Sequence, residues 1–231
     1  MLSPAEWEIL TLSLRVSLVA IAIAAPMAFA IAWLLARADF PGKVLIDMLV
    51  HLPLVLPPVV TGWALLLLLG PHGAIGRWLD QWFGVVLVFH WTGAAVAAGV
   101  MAFPLMVRSM RLAIEGVDRR LENAARTLGA SRLHVLRTVT VPLCLPGIAA
   151  GSILGFARSI GEFGATITFA ANIAGETRTL PLAIYNALQA PGGEATVGRL
   201  AAISIIVSLV ALFLSELMVR RSGSRRGAHE L

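Results

Sequence analysis

Residues 118–142, DRRLENAARTLGASRLHVLRTVTVP, form a polar island between two apolar runs. Leu121, Ala124, Ala125 and Leu128 share one face of a helix, and Arg119, Arg120, Glu122, Asn123 and Arg126 cover the rest. Asp118 suits an N-cap, and Gly129 suits the left-handed position that closes a helix. Ser131 can cap a second short helix that holds Leu133 and Leu136. The reading predicts two short amphipathic helices with a tight bend at Gly129. Such a pair either lies on lipid headgroups or offers a knob to a soluble partner.

Outward from this island the chain is a membrane protein. Of 231 residues, 58% are hydrophobic and 13% charged. Soluble domains carry about 25% charged residues, because they face water on all sides. Crossing about 30 Å of hydrocarbon takes about 20 apolar residues in a helix. Five stretches qualify, at about 13–36, 48–71, 84–108, 138–159 and 198–219. Phe163–Gly175 and Leu180–Pro191 are uncharged but short, so 160–195 is expected to hold re-entrant or interfacial segments, with a sixth span as the alternative. The fold class is all-α integral membrane: a transmembrane domain over 10–219, a cytoplasmic loop at 109–138 and a short basic tail at 220–231. Glu6 and Glu8 precede Arg15, the reverse of a secretory leader, so the first span is expected to be retained. With about a dozen residues after the last span, no regulatory domain is expected on this chain.

The basic residues sort by loop. Arg37 and Lys43 lie in the first loop, Arg108, Arg111, Arg119, Arg120, Arg126, Arg132 and Arg137 in the third, and Arg220, Arg221, Arg225 and Arg226 in the tail. With five spans all of these fall on one side. The positive-inside rule then puts the C-terminus in the cytoplasm and the N-terminus in the periplasm. This distribution accounts for the net charge of +5 without nucleic acid.

Helices in lipid associate through close approach, which small residues allow. Ala20, Ala24, Ala28 and Ala32 make one stripe, Ala94, Ala98 and Ala102 a second, and Gly147, Gly151, Gly155 and Ser159 a third. The partners of these stripes lie within the chain or across a dimer. Pro53, Pro57 and Pro58 predict a broken or kinked second span, either a structural kink or part of a pathway. Ionisable groups at membrane depth are functional candidates. Arg158 could attract an anion, with Thr61, Ser159, Glu162, Thr166 and Thr168 as further pathway candidates. The competing reading pairs Arg158 with Glu162 at i,i+4 as a structural ion pair. No Gly-x4-Gly-Lys-Ser/Thr phosphate loop surrounds the single lysine, Lys43, so ATP hydrolysis would have to come from another polypeptide. His51, His72, His90, His134 and His229 are scattered, Cys144 is alone, and no catalytic, cofactor or metal site is expected.

The island also resembles the EAA motif of ABC-importer permeases, which runs Glu-Ala-Ala, three residues, Gly, nine residues, Ile-x-Leu-Pro. Here Asn123-Ala124-Ala125, Gly129 and Val139-Thr140-Val141-Pro142 hold those places. Asn123 replaces the motif's Glu, and Glu122 stands one residue earlier. FPGKVLIDMLVHLPLVLPPVVTGW (40–63), FPLMVRSMRLAIEGVD (103–118) and FARSIGEFGATITFAANIAGETRTLPLAIY (156–185) are similar to permeases of molybdate ABC importers. The resemblance implies a type I importer permease fold with two short cytoplasmic coupling helices. It implies two ATP-binding subunits, a second copy of this chain and a periplasmic molybdate-binding protein as partners. Glu122, Asn123, Ala124, Ala125, Arg126, Gly129 and Pro142 would then couple to the ATPase. A tungstate or sulfate importer is the alternative within this class. A membrane enzyme or scaffold docking another soluble protein is the alternative outside it.

Overall fold

The computed structural model describes residues 3–227, with side chains left undescribed at residue 215 and over 218–227. The first helix, α1 (Pro4–Arg37), starts at a capping box: Ser3 Oγ accepts from Glu6 N–H, and Glu6 Oε2 accepts from Ser3 N–H. Two shorter helices follow, α2 (Lys43–Val55) and α3 (Pro58–Leu69), with axes that differ by 119°. The cause is local: Leu56 and Pro57 are extended because a residue before proline avoids the helical region. The break expected in the second span is therefore present. Each half, about 20 Å long, is too short to cross alone.

A short helix that the sequence reading missed, α4 (Ala74–Phe83), comes next. It exposes Trp78, Trp82 and Phe83 on its apolar side. Gly84, at φ +62°, closes it, and Val85 N–H reaches back to Leu79 C=O. The third span, expected from residue 84, therefore starts late, as α5 (Trp91–Glu115). Residues 84–90 are apolar but non-helical, and Leu87 and Val88 pack beside Phe169.

The polar island forms α6 (Arg119–Thr127), capped as expected by Asp118, whose carboxylate accepts from Arg120 N–H at 2.8 Å. Gly129 takes φ +87°. Ser131 caps α7 (Arg132–Val135) by accepting from His134 N–H. Here the expectation of two separate short helices needs correction. The chain runs from α7 through a π turn, Leu136–Thr140, into α8 (Val141–Ile160), one continuous helical body. Pro142 lacks an N–H and crowds the carbonyl four residues back, Thr138, which lies in the widened turn.

Two short helices, α9 (Gly164–Phe169) and α10 (Leu180–Leu188), fill the region where a sixth span was the alternative. Six and nine residues cannot cross. The last helix, α11, spans Glu194–Gly227 and so continues through most of the basic tail; residues 228–231 of that tail lie outside the described residues.

Helix α5 is central, packed by α1 on one side and α8 on another. The small-residue stripes meet inside the chain. Ala28, Ala32, Ala94 and Ala102 are wholly buried. A Cβ on Gly147 would lie 2.3 Å from Ala113 Cβ, and one on Gly155 would lie 2.7 Å from Met106. Gly147→Ala should wedge α8 from α5 and lower stability by about 1–3 kcal/mol. Gly198, on α11, has nothing within 4 Å of the same position, and Gly198→Ala should be neutral or stabilising. Thermal unfolding in detergent measures both.

Candidate functional site

At one end of the bundle α6 stands off the membrane helices. Of its nine residues only Glu122 is buried. Leu121 and Leu128, half and almost fully exposed, belong to the apolar face, which looks outward. Usual amphipathic packing is thus reversed: the charged residue faces in and the leucines face out. Asn123, Ala124, Arg126 and Gly129 are exposed with them, and Ala125 is half-buried. Beside this face an open hollow of about 610 Å³ is lined by Ala125, Leu128, Gly129, Ala130, Ser131, His134 and Thr138. Pro142 is exposed but sits in the first turn of α8, apart from that face.

Glu122 Oε1 accepts two bonds, from Arg37 Nη2 at 3.0 Å and from Thr140 Oγ1 at 2.7 Å. Arg37 Nη2 also donates to Val117 C=O at 3.2 Å, and Arg119 Nη2 donates to Ala36 C=O at 3.4 Å. Sequence reasoning used Arg37 as a basic residue of the first loop and missed its partnership with Glu122. The signal was present: a lone arginine closing an apolar run needs an anion if it is to be buried.

The pathway candidates gather around α9. Arg158 Nη1 pairs with Glu162 Oε2 at 2.7 Å, as the structural-pair reading expected. Glu162 Oε1 accepts from Ala165 N–H at 2.8 Å and so ties down the first turn of α9. Helix α3 lies directly on α9: a Cβ on Gly62 would be 2.7 Å from Ala165 C=O and 2.8 Å from Thr168 Cβ. That contact brings Thr61, on α3, into the same region as Thr166 and Thr168. Thr61 Oγ1 and Ser159 Oγ are buried with no hydrogen-bond partner among the described residues. Thr166 is buried, while Thr168 Oγ1 donates to Gly164 C=O. No group of three or more metal-ligating side chains occurs among the described residues.

The opposite end of the bundle is held by charge. Buried Glu6 Oε1 accepts from Arg199 Nε at 2.7 Å, and Ser13 Oγ accepts from Leu180 N–H. Arg15 lies 3.8 Å over the Trp91 ring. Glu176 Oε1 meets His90 Nδ1 at 3.0 Å and accepts from Trp91 N–H at the start of α5. The His90 bond first, then the Trp91 N–H, holds the Glu176 carboxyl below its ordinary range.

Two outcomes follow. Arg158→Ala would leave the buried Glu162 carboxylate unpaired and lower stability by about 3 kcal/mol, since Arg158 itself keeps some access to solvent. Adding Glu162→Gln should recover most of that in thermal unfolding, because the amide oxygen still accepts from Ala165. Recovery of the melting temperature in the double variant would mark the pair as structural; no recovery would show that Arg158 stabilises this turn by contacts other than the ion pair. For Glu176, a lowered folded pKa means that its stabilising contribution is complete above pH 4.5 and fades as pH falls through the lower folded value. Glu176→Gln should therefore flatten the acid limb of a stability profile as pH falls below 4.5.

Comparison with known proteins agrees with this architecture. The model of the family described as "Binding-protein-dependent transport system inner membrane component" matches residues 20–225. The molybdenum transport system permease protein ModB of Escherichia coli (strain K12) is 55% identical over 98% of this chain and 99% of its own. The sulfate transport system permease protein CysT of Salmonella typhimurium is 38% identical over 86% of this chain and 71% of its own. A bacterial alginate ABC transporter, crystallised with a periplasmic protein bound to an alginate pentasaccharide, shares the fold at a TM-score of 0.73 and 18% identity, covering 95% of this chain and 80% of its own. With the family model matched over residues 20–225 and 55% identity over nearly the whole chain, this chain belongs to the inner membrane components of binding-protein-dependent transport systems.

Proposed function

We propose that this chain is the membrane-spanning subunit of an ATP-driven importer that takes molybdate from a periplasmic binding protein to the cytoplasm. The observation that carries the reading is the 55% identity, over essentially both full lengths, to a molybdenum permease, against 38% over a shorter stretch to a sulfate permease. In this reading the chain is non-catalytic. Two ATP-binding subunits hydrolyse ATP, and a second copy of this chain completes the translocation path. The outward leucines of α6 and the hollow beside them support docking there, because exposed aliphatic side chains gain from burial against a partner. Ala125 and Gly129 line the hollow with Leu128, and Asn123, Ala124 and Arg126 are exposed on the same helix. The end that carries α6 faces the cytoplasm, in keeping with its arginines, and the N-terminus of α1 faces the periplasm.

The anion would pass the region of α3 and α9. Arg158 is offset there by Glu162, so no unbalanced cation waits to trap a dianion, while Thr61, Ser159 and Thr166 offer hydroxyls and Thr168 could do so only by giving up its bond to Gly164 C=O. A conduit that binds weakly suits a system whose selection is made by the binding protein.

The test is reconstitution with the ATP-binding subunit and the binding protein, measuring ATP-dependent uptake of labelled molybdate. Wild type should import it, with tungstate competing and sulfate competing poorly. Leu128→Asp should release the ATP-binding subunit and abolish uptake. Efficient competition by sulfate would move the assignment to a sulfate importer. No uptake from an assembled complex would sink the oxyanion reading.

A further inference from the structure

Resting on the transport reading, we propose that Glu122 is the strut through which displacement of α6 reaches the membrane helices. It is a positioning residue and makes no contact with the docking partner. Helix α6 buries no apolar side chain, and its one buried residue is this carboxylate. A single oxygen of Glu122 holds Arg37, the last residue of α1, and Thr140, in the π turn at the foot of α8. Both α1 and α8 pack on α5. One point on α6 is thereby tied to two of the three helices at the centre of the bundle. Apolar contacts are non-directional and can slide, whereas hydrogen bonds in a buried setting fix distance and angle. The π turn places an adaptable segment where the load enters α8. A push delivered to the exposed face of α6 has this carboxylate as its principal side-chain route inward, the other being the longer bond, 3.4 Å, from Arg119 Nη2 to Ala36 C=O, which reaches α1 alone. Asn123, which the motif's register would assign to the Glu contact, is exposed on the outer surface instead.

The experiment uses the full complex in proteoliposomes and reads three quantities: co-purification of the ATP-binding subunit, molybdate uptake per ATP hydrolysed, and a spin-label distance. The labels sit at Arg120→Cys on α6, outside the residues assigned to docking, and Trp7→Cys at the far end of α1, both exposed positions. Glu122→Ala should keep the ATP-binding subunit bound, lower uptake per ATP by about tenfold, and remove the ATP-driven change in distance seen in the unsubstituted chain. Glu122→Gln, whose amide oxygen can accept both bonds, should stay within about threefold of wild type. Thr140→Val removes one arm at nearly constant shape and should fall between them.

Uptake per ATP unchanged in Glu122→Ala, with only yield or thermal stability reduced, would overturn the proposal in favour of a role in folding alone. Loss of the ATP-binding subunit, as in Leu128→Asp, would overturn it by making Glu122 part of the docking surface. If Glu122→Ala does not accumulate, Thr140→Val decides, and an unchanged ratio overturns the proposal. A wild-type complex that shows the distance change but imports no oxyanion would reject the transport reading and leave the strut standing.

Discussion

Close approach of backbones around α5 is the constraint on which everything else depends. In lipid, water provides no drive to bring apolar helices together, so contact area and fit must do so. Ala28 and Ala32 on α1, Ala94 and Ala102 on α5, and Gly147 and Gly155 on α8 let three helices meet with little side-chain volume between them. With that trio fixed, the remaining elements have surfaces to lie on. Helices α2 and α3 hug α5 at successive depths, and α9 fits beneath the start of α3.

Polar groups then take positions the trio allows. Each buried acid has a basic partner: Glu6 with Arg199, Glu122 with Arg37, Glu162 with Arg158. Two of the pairs, Glu6–Arg199 and Glu122–Arg37, link segments that apolar contact alone would leave loosely aligned. The two end pairs span more than eighty positions of chain, whereas the Arg158–Glu162 pair is local and shapes a turn. Burying a charge is tolerable only with a partner in hydrogen-bonding geometry, so these six side chains are mutually dependent.

The sequence was most legible where one short segment decides the outcome. Asp118, Gly129 and Ser131 act as the caps and turn expected of them, because capping depends on neighbours within four residues. The break at Leu56–Pro57 is equally local. Legibility failed where depth in the membrane decides. Residues 84–90 are as apolar as a span, yet they are non-helical, with a turn over 88–89, because Gly84 has already ended α4 and Leu87 and Val88 join the cluster that holds Phe169. Helix α4, at ten residues, was invisible to a search for span-length runs. For α6 both readings drawn from the sequence, a pair lying on headgroups or a knob for a soluble partner, require an outward apolar face, and exposed Leu121 and Leu128 form one. The internal partners of Glu122 lie 85 residues before it and 18 after it, which no local pattern reveals.

The π turn between α7 and α8 has a consequence for how such a chain can change over time. One residue accommodated as a bulge, rather than as part of regular helix, shifts the angular phase of everything on its far side by about 100°. Regularising Leu136–Thr140 would swing Ser131 and the hollow beside Gly129 to another bearing while α8 kept its seat on α5. The heading of the docking end and the seating of the span are thus separately adjustable, and a single insertion or deletion in this turn re-aims one without disturbing the other.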